Sequence, residues 1–155
     1  MSSSVQSIRE RYLQTLDNIA SAAHSVGRSP ESVKLVVVTK LQSVEVTRAA
    51  IEAGAYMLGE NYPEEGVIKL QSLREFSAVE WHMIGHVQSR KAQLVTENFN
   101  LLHSLDSLKL AKRLDRFCVE AGRTLPVLLE FNVGGEDSKS GWLAGDGALW
   151  PALLD

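Results

Sequence analysis

Cysteine is almost missing from this sequence. The one thiol, Cys118, has no partner for an internal disulfide, which excludes a disulfide-stapled scaffold and fits a reducing compartment. Charge of one sign is missing too. A net charge of −3 offers no electrostatic basis for holding nucleic acid or an anionic membrane surface. No apolar run approaches the roughly 18 residues of a membrane span. The opening MSSSVQSIRERYLQTLDNIA carries charges throughout, where a signal peptide needs a continuous apolar stretch. Neither GxGxxG nor P-loop spacing is present, so the glycine-rich stretch NVGGEDSKSGW is a weak phosphate signal. There is no low-complexity segment. What remains is a chain of 155 residues, 45% hydrophobic, which suits one soluble, cytoplasmic globular domain with a real core.

The apolar periodicities alternate in type. Val5, Ile8, Tyr12, Leu16, Ile19, Ala23 and Val26 recur at steps of three or four, the spacing of an amphipathic helix, and Gly27 stops it. Ser29 and Pro30 are expected to open a short helical turn. KLVVVTK then reads as a buried strand. Ser43 is expected to cap the helix SVEVTRAAIEA, which Gly54 ends. AYMLGE, WHMIGH, NLLHSLD and PVLLEFNV read as four more strands. They are separated by helices at 62–73, where Pro63 and Gly66 weaken the pattern, at 88–96, and at SLKLAKRLDRFCVEAG, capped by Asp106 or Ser107. In the last helix Leu110, Leu114, Phe117, Cys118 and Ala121 share a face, so Cys118 reads as packing. Helix followed by repeated β-α units implies a parallel α/β sheet with helical crossovers, its strands covered on both faces. A doubly wound sheet and a (β/α)8 TIM-barrel both satisfy this pattern.

Polar residues gather where the strands end, the edge at which parallel α/β folds bind ligands. Lys40 closes the first strand, and Glu60, Asn61 and Tyr62 follow the second. His82 lies in the third, which ends near Gly85 and His86. His103, Ser104 and Asp106 close the fourth, and Asn132 the fifth. Lysine is usually a solvated surface residue, yet an amine at the end of so apolar a strand is also what Schiff-base formation with an aldehyde requires. Asn61 reads equally as a turn or cap residue, and Glu60 as half of an ion pair. His82 and His86 are four apart, but on a strand they do not converge, and no acidic residue follows His82 as in a zinc protease helix, so no metal site is expected. His82 and His103 read as pocket-lining or hydrogen-bonded core histidines.

VVVTK, GENY, WHMIGHVQSRK, LLHSLDSLKLAKRL and NVGGEDSKSGW, in this order and spacing, resemble the pyridoxal phosphate homeostasis protein family from about the first helix to Trp142. The resemblance implies an α/β barrel of the alanine racemase N-terminal domain type, here about the first five βα units. It implies pyridoxal 5′-phosphate (PLP) as cofactor, held as a Schiff base on Lys40, with Asn61 near the cofactor ring and His82 in the pocket wall. Ser104 and Asn132 join this set on their strand-end positions alone. It further implies intracellular PLP homeostasis without catalytic turnover, a monomer, and PLP-dependent apoenzymes as recipients. A PLP-dependent racemase is the alternative, with Lys40 on one face of the substrate carbon and Tyr62 improvising on the other. A Schiff-base aldolase is the third reading. Pro63 and Glu64 depart from the family after GENY. Family members also continue for roughly three more βα units, so residues 1–155 are expected to be a single barrel domain lacking its C-terminal part. That part would hold the phosphate-binding loops and the arginine facing the pyridine nitrogen.

Overall fold

The computed structural model describes residues 3–145 and 147. Local capping chemistry sets several helix boundaries. α1 is Ser3–Ser25. α2, Val44–Glu52, starts where the Ser43 side chain accepts from the Val46 N–H. α5, Leu108–Ala121, starts where Ser107 accepts from the Leu110 N–H and stops at Gly122, whose φ of 61° is left-handed. Each serine cap satisfies a donor the helix cannot, an effect of about 1 kcal/mol. α3, Pro63–Ser72, begins on the proline, whose missing N–H costs nothing in a first turn. Gly66 sits inside α3 because a Cβ there would lie 2.6 Å from Cζ of Phe99, a fully buried ring. The residue that weakens the helix pattern is the one that lets α3 approach the ring.

The strands are β1 (Val37–Val38), β2 (Met57–Glu60), β3 (Glu80–Met83), β4 (Leu101–Leu105) and β5 (Val127–Leu129), with α4 (Ala92–Asn98) between β3 and β4. All pair in parallel, in the order β1-β2-β3-β4-β5. This order settles the architecture. A doubly wound sheet reverses its strand order at a switch point. Here every strand pairs with the next in sequence, which is the progression of a (β/α) barrel.

Alternation along the strands separates two faces. Leu58, Trp81, Met83 and Leu102 point to the helices and form the core with Val95, Phe99, Leu110 and Leu114. Val36, Gly59, Ile84 and His82 belong to the opposite, concave face. A Cβ on Gly59 would touch Val36 at 3.2 Å and Ile84 at 3.0 Å, so these two side chains nearly meet across the glycine.

Several expectations shift. β1 is two residues long. Ser29 does not cap the turn Pro30–Ser32, because its hydroxyl bonds the Glu31 carboxylate instead. A 3-10 turn at Ser89–Lys91 delays α4 to Ala92. PVLLEFNV divides at Glu130, whose N–H donates to Leu105 while its carbonyl accepts from Trp142. The chain thereby leaves β4 and pairs β6 (Phe131–Asn132) with β7 (Trp142–Leu143). β5 is exposed along its length, with Leu128 at 50%, so strands covered on both faces describe β2 better than β5. Among the described residues β5 has β4 as its one neighbour in the sheet.

Candidate functional site

The carboxyl ends of the strands carry Lys40. Beyond β1 the ladder continues one step, with the Thr39 N–H donating to the Gly59 carbonyl at 3.0 Å. The Gln42 N–H then donates to the Thr39 carbonyl at 3.1 Å, closing a turn with Lys40 and Leu41 at its centre. Leu41 has a φ of 60°, and among the described residues it is the one non-glycine in that region. For an L-residue this conformation costs on the order of 1–2 kcal/mol and persists only where the surroundings impose it. Lys40 is exposed, Thr39 buried.

Beneath Lys40 lies a buried polar cluster that inspection of the sequence did not assemble. Glu60 is fully buried at the end of β2, and Lys69, on α3, is 5% exposed. Lys69 Nζ donates to Glu60 Oε1 at 2.7 Å and to the Thr39 carbonyl at 2.6 Å. The Thr39 hydroxyl donates to the same Glu60 oxygen at 2.6 Å. Glu60 is therefore half of an ion pair, as one reading allowed, and its partner comes from the helix that follows it. No local pattern in the sequence signals it, since a helical lysine ordinarily faces solvent.

Asn61 follows directly after Glu60 at the same edge. Its backbone packs on Gly85, where a Cβ would stand 2.4 Å from the Asn61 oxygen. Ser104, buried, donates to the Gly85 carbonyl at 2.6 Å. Its hydroxyl is thus committed to holding the loop after β3. His86 Nδ1 lies 2.7 Å from Asp106 and 3.3 Å from the Ser140 hydroxyl, so loops after β3, β4 and β6 meet at one rim. Aspartate and serine share one ring nitrogen, which is not the relay of a serine hydrolase. Asn132 donates to the Glu136 carbonyl at 2.9 Å and braces its own loop.

His82 is placed differently from Lys40. Its Nδ1 is 3.0 Å from His103 Nε2 and its Nε2 is 3.4 Å from Glu80. Both rings line a cavity of about 510 Å³ with Lys34, Val36, Met57 and Pro126. Lys34, Val36, Met57 and Pro126 belong to the amino-terminal strand ends, while His82 pairs with Gly59 one residue short of the end of β3; Lys40 and Asn61 stand at the carboxyl ends. Among the described residues no three His, Cys, Asp or Glu side chains gather to hold a metal ion. Burial, and secondarily the His82 ring, hold the His103 pKa below the usual histidine value. The folded state thus resists protonating His103. Its contribution is present above about pH 6.5 and is lost as pH falls through the depressed folded value. Urea melts at pH 7.5 and pH 5.5 are expected to show that loss, and His103→Gln to reduce it.

The family model of the alanine racemase N-terminal domain matches residues 14–154. The chain belongs to that family. Within it, the chain is similar to the Pyridoxal phosphate homeostasis protein of Escherichia coli (strain K12). The two are 40% identical over 136 residues, which cover 86% of this chain and 58% of that one. It is 39% identical over 140 residues to the protein of the same name from Vibrio alginolyticus, covering 88% and 60%. The chain thus spans about three fifths of the length of these curated relatives. Among solved structures it resembles PipY of Synechococcus elongatus PCC7942 with PLP bound, at a TM-score of 0.71 and 34% identity, covering 89% of this chain and 63% of that one. Alanine racemase from Streptomyces coelicolor A3(2) gives 0.67 at 18% identity, covering 97% and 37%, and carries the fold alone. The barrel and the family resemblance expected from the motifs both stand.

No helix of the described residues is long and apolar enough to cross a membrane.

Proposed function

We propose that the chain binds pyridoxal 5′-phosphate covalently through Lys40, as a holder of the cofactor within cellular PLP homeostasis and without turnover of its own. The observation that carries this reading is an exposed amine fixed at the carboxyl edge of a parallel barrel sheet, on a turn tightened by Leu41 and anchored at Thr39. The PLP-bound PipY structure supports the choice of ligand. Bound there, the cofactor supplies an aldehyde. Lys40 Nζ would hold that aldehyde covalently, the carbonyl oxygen leaving with the two amine protons as water. Asn61 stands at the end of the neighbouring strand, directly after Glu60. Ser104 acts through Gly85, Asn132 through its own loop, and His82 from the wall of the cavity it lines with His103. On this reading residues 1–155 form one barrel-type unit, act as a monomer in the cytoplasm and pass the cofactor to PLP-dependent apoenzymes.

The test is a titration of the purified chain with pyridoxal phosphate, followed by borohydride reduction and peptide mapping. A visible absorbance band and a reduced label on Lys40 are expected, both lost in Lys40→Ala. Label spread evenly over the exposed lysines, unchanged by that substitution, would remove the reading.

A further inference from the structure

We propose that Lys69 is a positioning residue for Lys40, acting through the Thr39 carbonyl. This rests on Lys40 being the covalent attachment point.

An ion pair between α3 and β2 needs only Lys69 and Glu60. The geometry contains more. Lys69 divides its ammonium between the carboxylate and the carbonyl of the residue directly before Lys40. The Thr39 hydroxyl takes up the same carboxylate oxygen. Lys69, Glu60 and Thr39, all buried, thus form one hydrogen-bonded cluster, and Lys69 is the member that bonds the Thr39 backbone carbonyl. That carbonyl also accepts from the Gln42 N–H, so the peptide before Lys40 and the turn after it share a single anchoring atom. Leu41 is 71% exposed and its left-handed conformation is flanked on both sides by hydrogen bonds that constrain it. A lysine carries a long flexible stem. Fixing its Cα is the means by which a fold confines an otherwise mobile amine to one edge of the sheet, and confinement raises the effective concentration of amine at a bound aldehyde. Lysine is rarely buried unless paired. Here the buried ammonium holds the backbone that presents the reactive one.

The experiment uses the full chain and four proteins: the parent, Lys69→Met, Lys69→Arg, and the double variant Glu60→Gln/Lys69→Met, which removes both charges together so that no lone charge is left buried. Two quantities are read well below each melting temperature, with far-UV circular dichroism confirming the fold. They are hydrogen exchange at the Gln42 amide, and the apparent Kd for pyridoxal phosphate from the absorbance band, with reduced label mapped to Lys40. The expected result in the folded double variant is Gln42 exchange and apparent Kd each raised about tenfold or more, a loss of about 1.4 kcal/mol per decade. Lys69→Arg should recover part of both. A brace that only joins α3 to β2 would lower the melting temperature and leave the affinity of the folded protein alone. Parent-like affinity in the folded double variant overturns the proposal, and so does failure of both methionine variants to fold, which would make the cluster a brace for the whole sheet. If the parent itself never labels Lys40, the attachment reading falls first. Slowed Gln42 exchange in that parent would show an anchored turn with another use.

Discussion

Glu60→Ala is expected to lower the free energy of unfolding by about 3–5 kcal/mol, a large share of the roughly 5–15 kcal/mol that holds a domain of ordinary stability. Glu60 is completely shielded from solvent, and its Oε1 accepts from both Lys69 and Thr39. Truncation leaves the Lys69 ammonium buried with the Thr39 carbonyl as its remaining hydrogen-bond partner among the described residues. The size of the effect comes from that stranded charge more than from the worth of the pair. Two comparisons separate these terms. Glu60→Gln, which keeps an acceptor, should cost less. Glu60→Ala/Lys69→Met, which removes both charges, should regain much of the loss, since buried pairs are often replaceable by apolar groups at little net cost. The pair here is also imperfect: Glu60 Oε2 is buried without a hydrogen-bond partner among the described residues, and such an oxygen carries an unrecovered desolvation cost. Urea denaturation of these proteins together with Lys69→Met closes the cycle. A loss under 1 kcal/mol for Glu60→Ala would mean that water reaches the cluster.

The contrast between what was legible in the sequence and what was not follows from the range of the interactions. The β-α rhythm is legible because each helix buries one stripe and each inner strand buries the face beneath it, so the period is printed in the residues. Ser43, Ser107 and Gly122 are legible because a cap is a contact over three or four positions. Lys40 and Asn61 could be placed at one edge because parallel strands with helical crossovers put all their carboxyl ends together. Lys69 could not. On a helix read alone, a lysine belongs to the solvent, and only the path of β1 and β2 beneath α3 turns it inward. His82 shows the other limit. Its strand was identifiable, but its neighbours were not, and β3 sets it against His103 and Glu80 in a cavity on the concave face. The division of the fifth strand at Glu130 depends on Trp142, a partner twelve positions on, which no local pattern contains.

Gly85→Ala is expected to cost about 3 kcal/mol, the upper part of the range for overpacking a filled site, and to weaken labelling of Lys40 as well. Gly85 is not among the residues with positive φ, so backbone freedom is not the reason for glycine there. The reason is distance. The added Cβ would lie 2.4 Å from the oxygen, 2.8 Å from the Cα and 3.0 Å from the carbonyl carbon of Asn61. All three atoms are backbone, so no rotamer change relieves the clash, and the chain between β2 and α3 must move. That chain is held from below by the Glu60 cluster, and the opposing loop is held by the Ser104 bond to the Gly85 carbonyl, so a shift of either breaks contacts. Gly122→Ala is the matched control. Its φ is 61° and nothing lies within 4 Å of the added methyl, so it should cost only the left-handed backbone penalty of about 1 kcal/mol and leave Lys40 labelling unchanged. Both variants lose stability in urea, but only the one whose methyl presses on Asn61 should lose affinity for pyridoxal phosphate at a temperature where it remains folded. Equal affinity in the two would detach Asn61 from the cofactor site and leave Lys40 to hold the aldehyde without it.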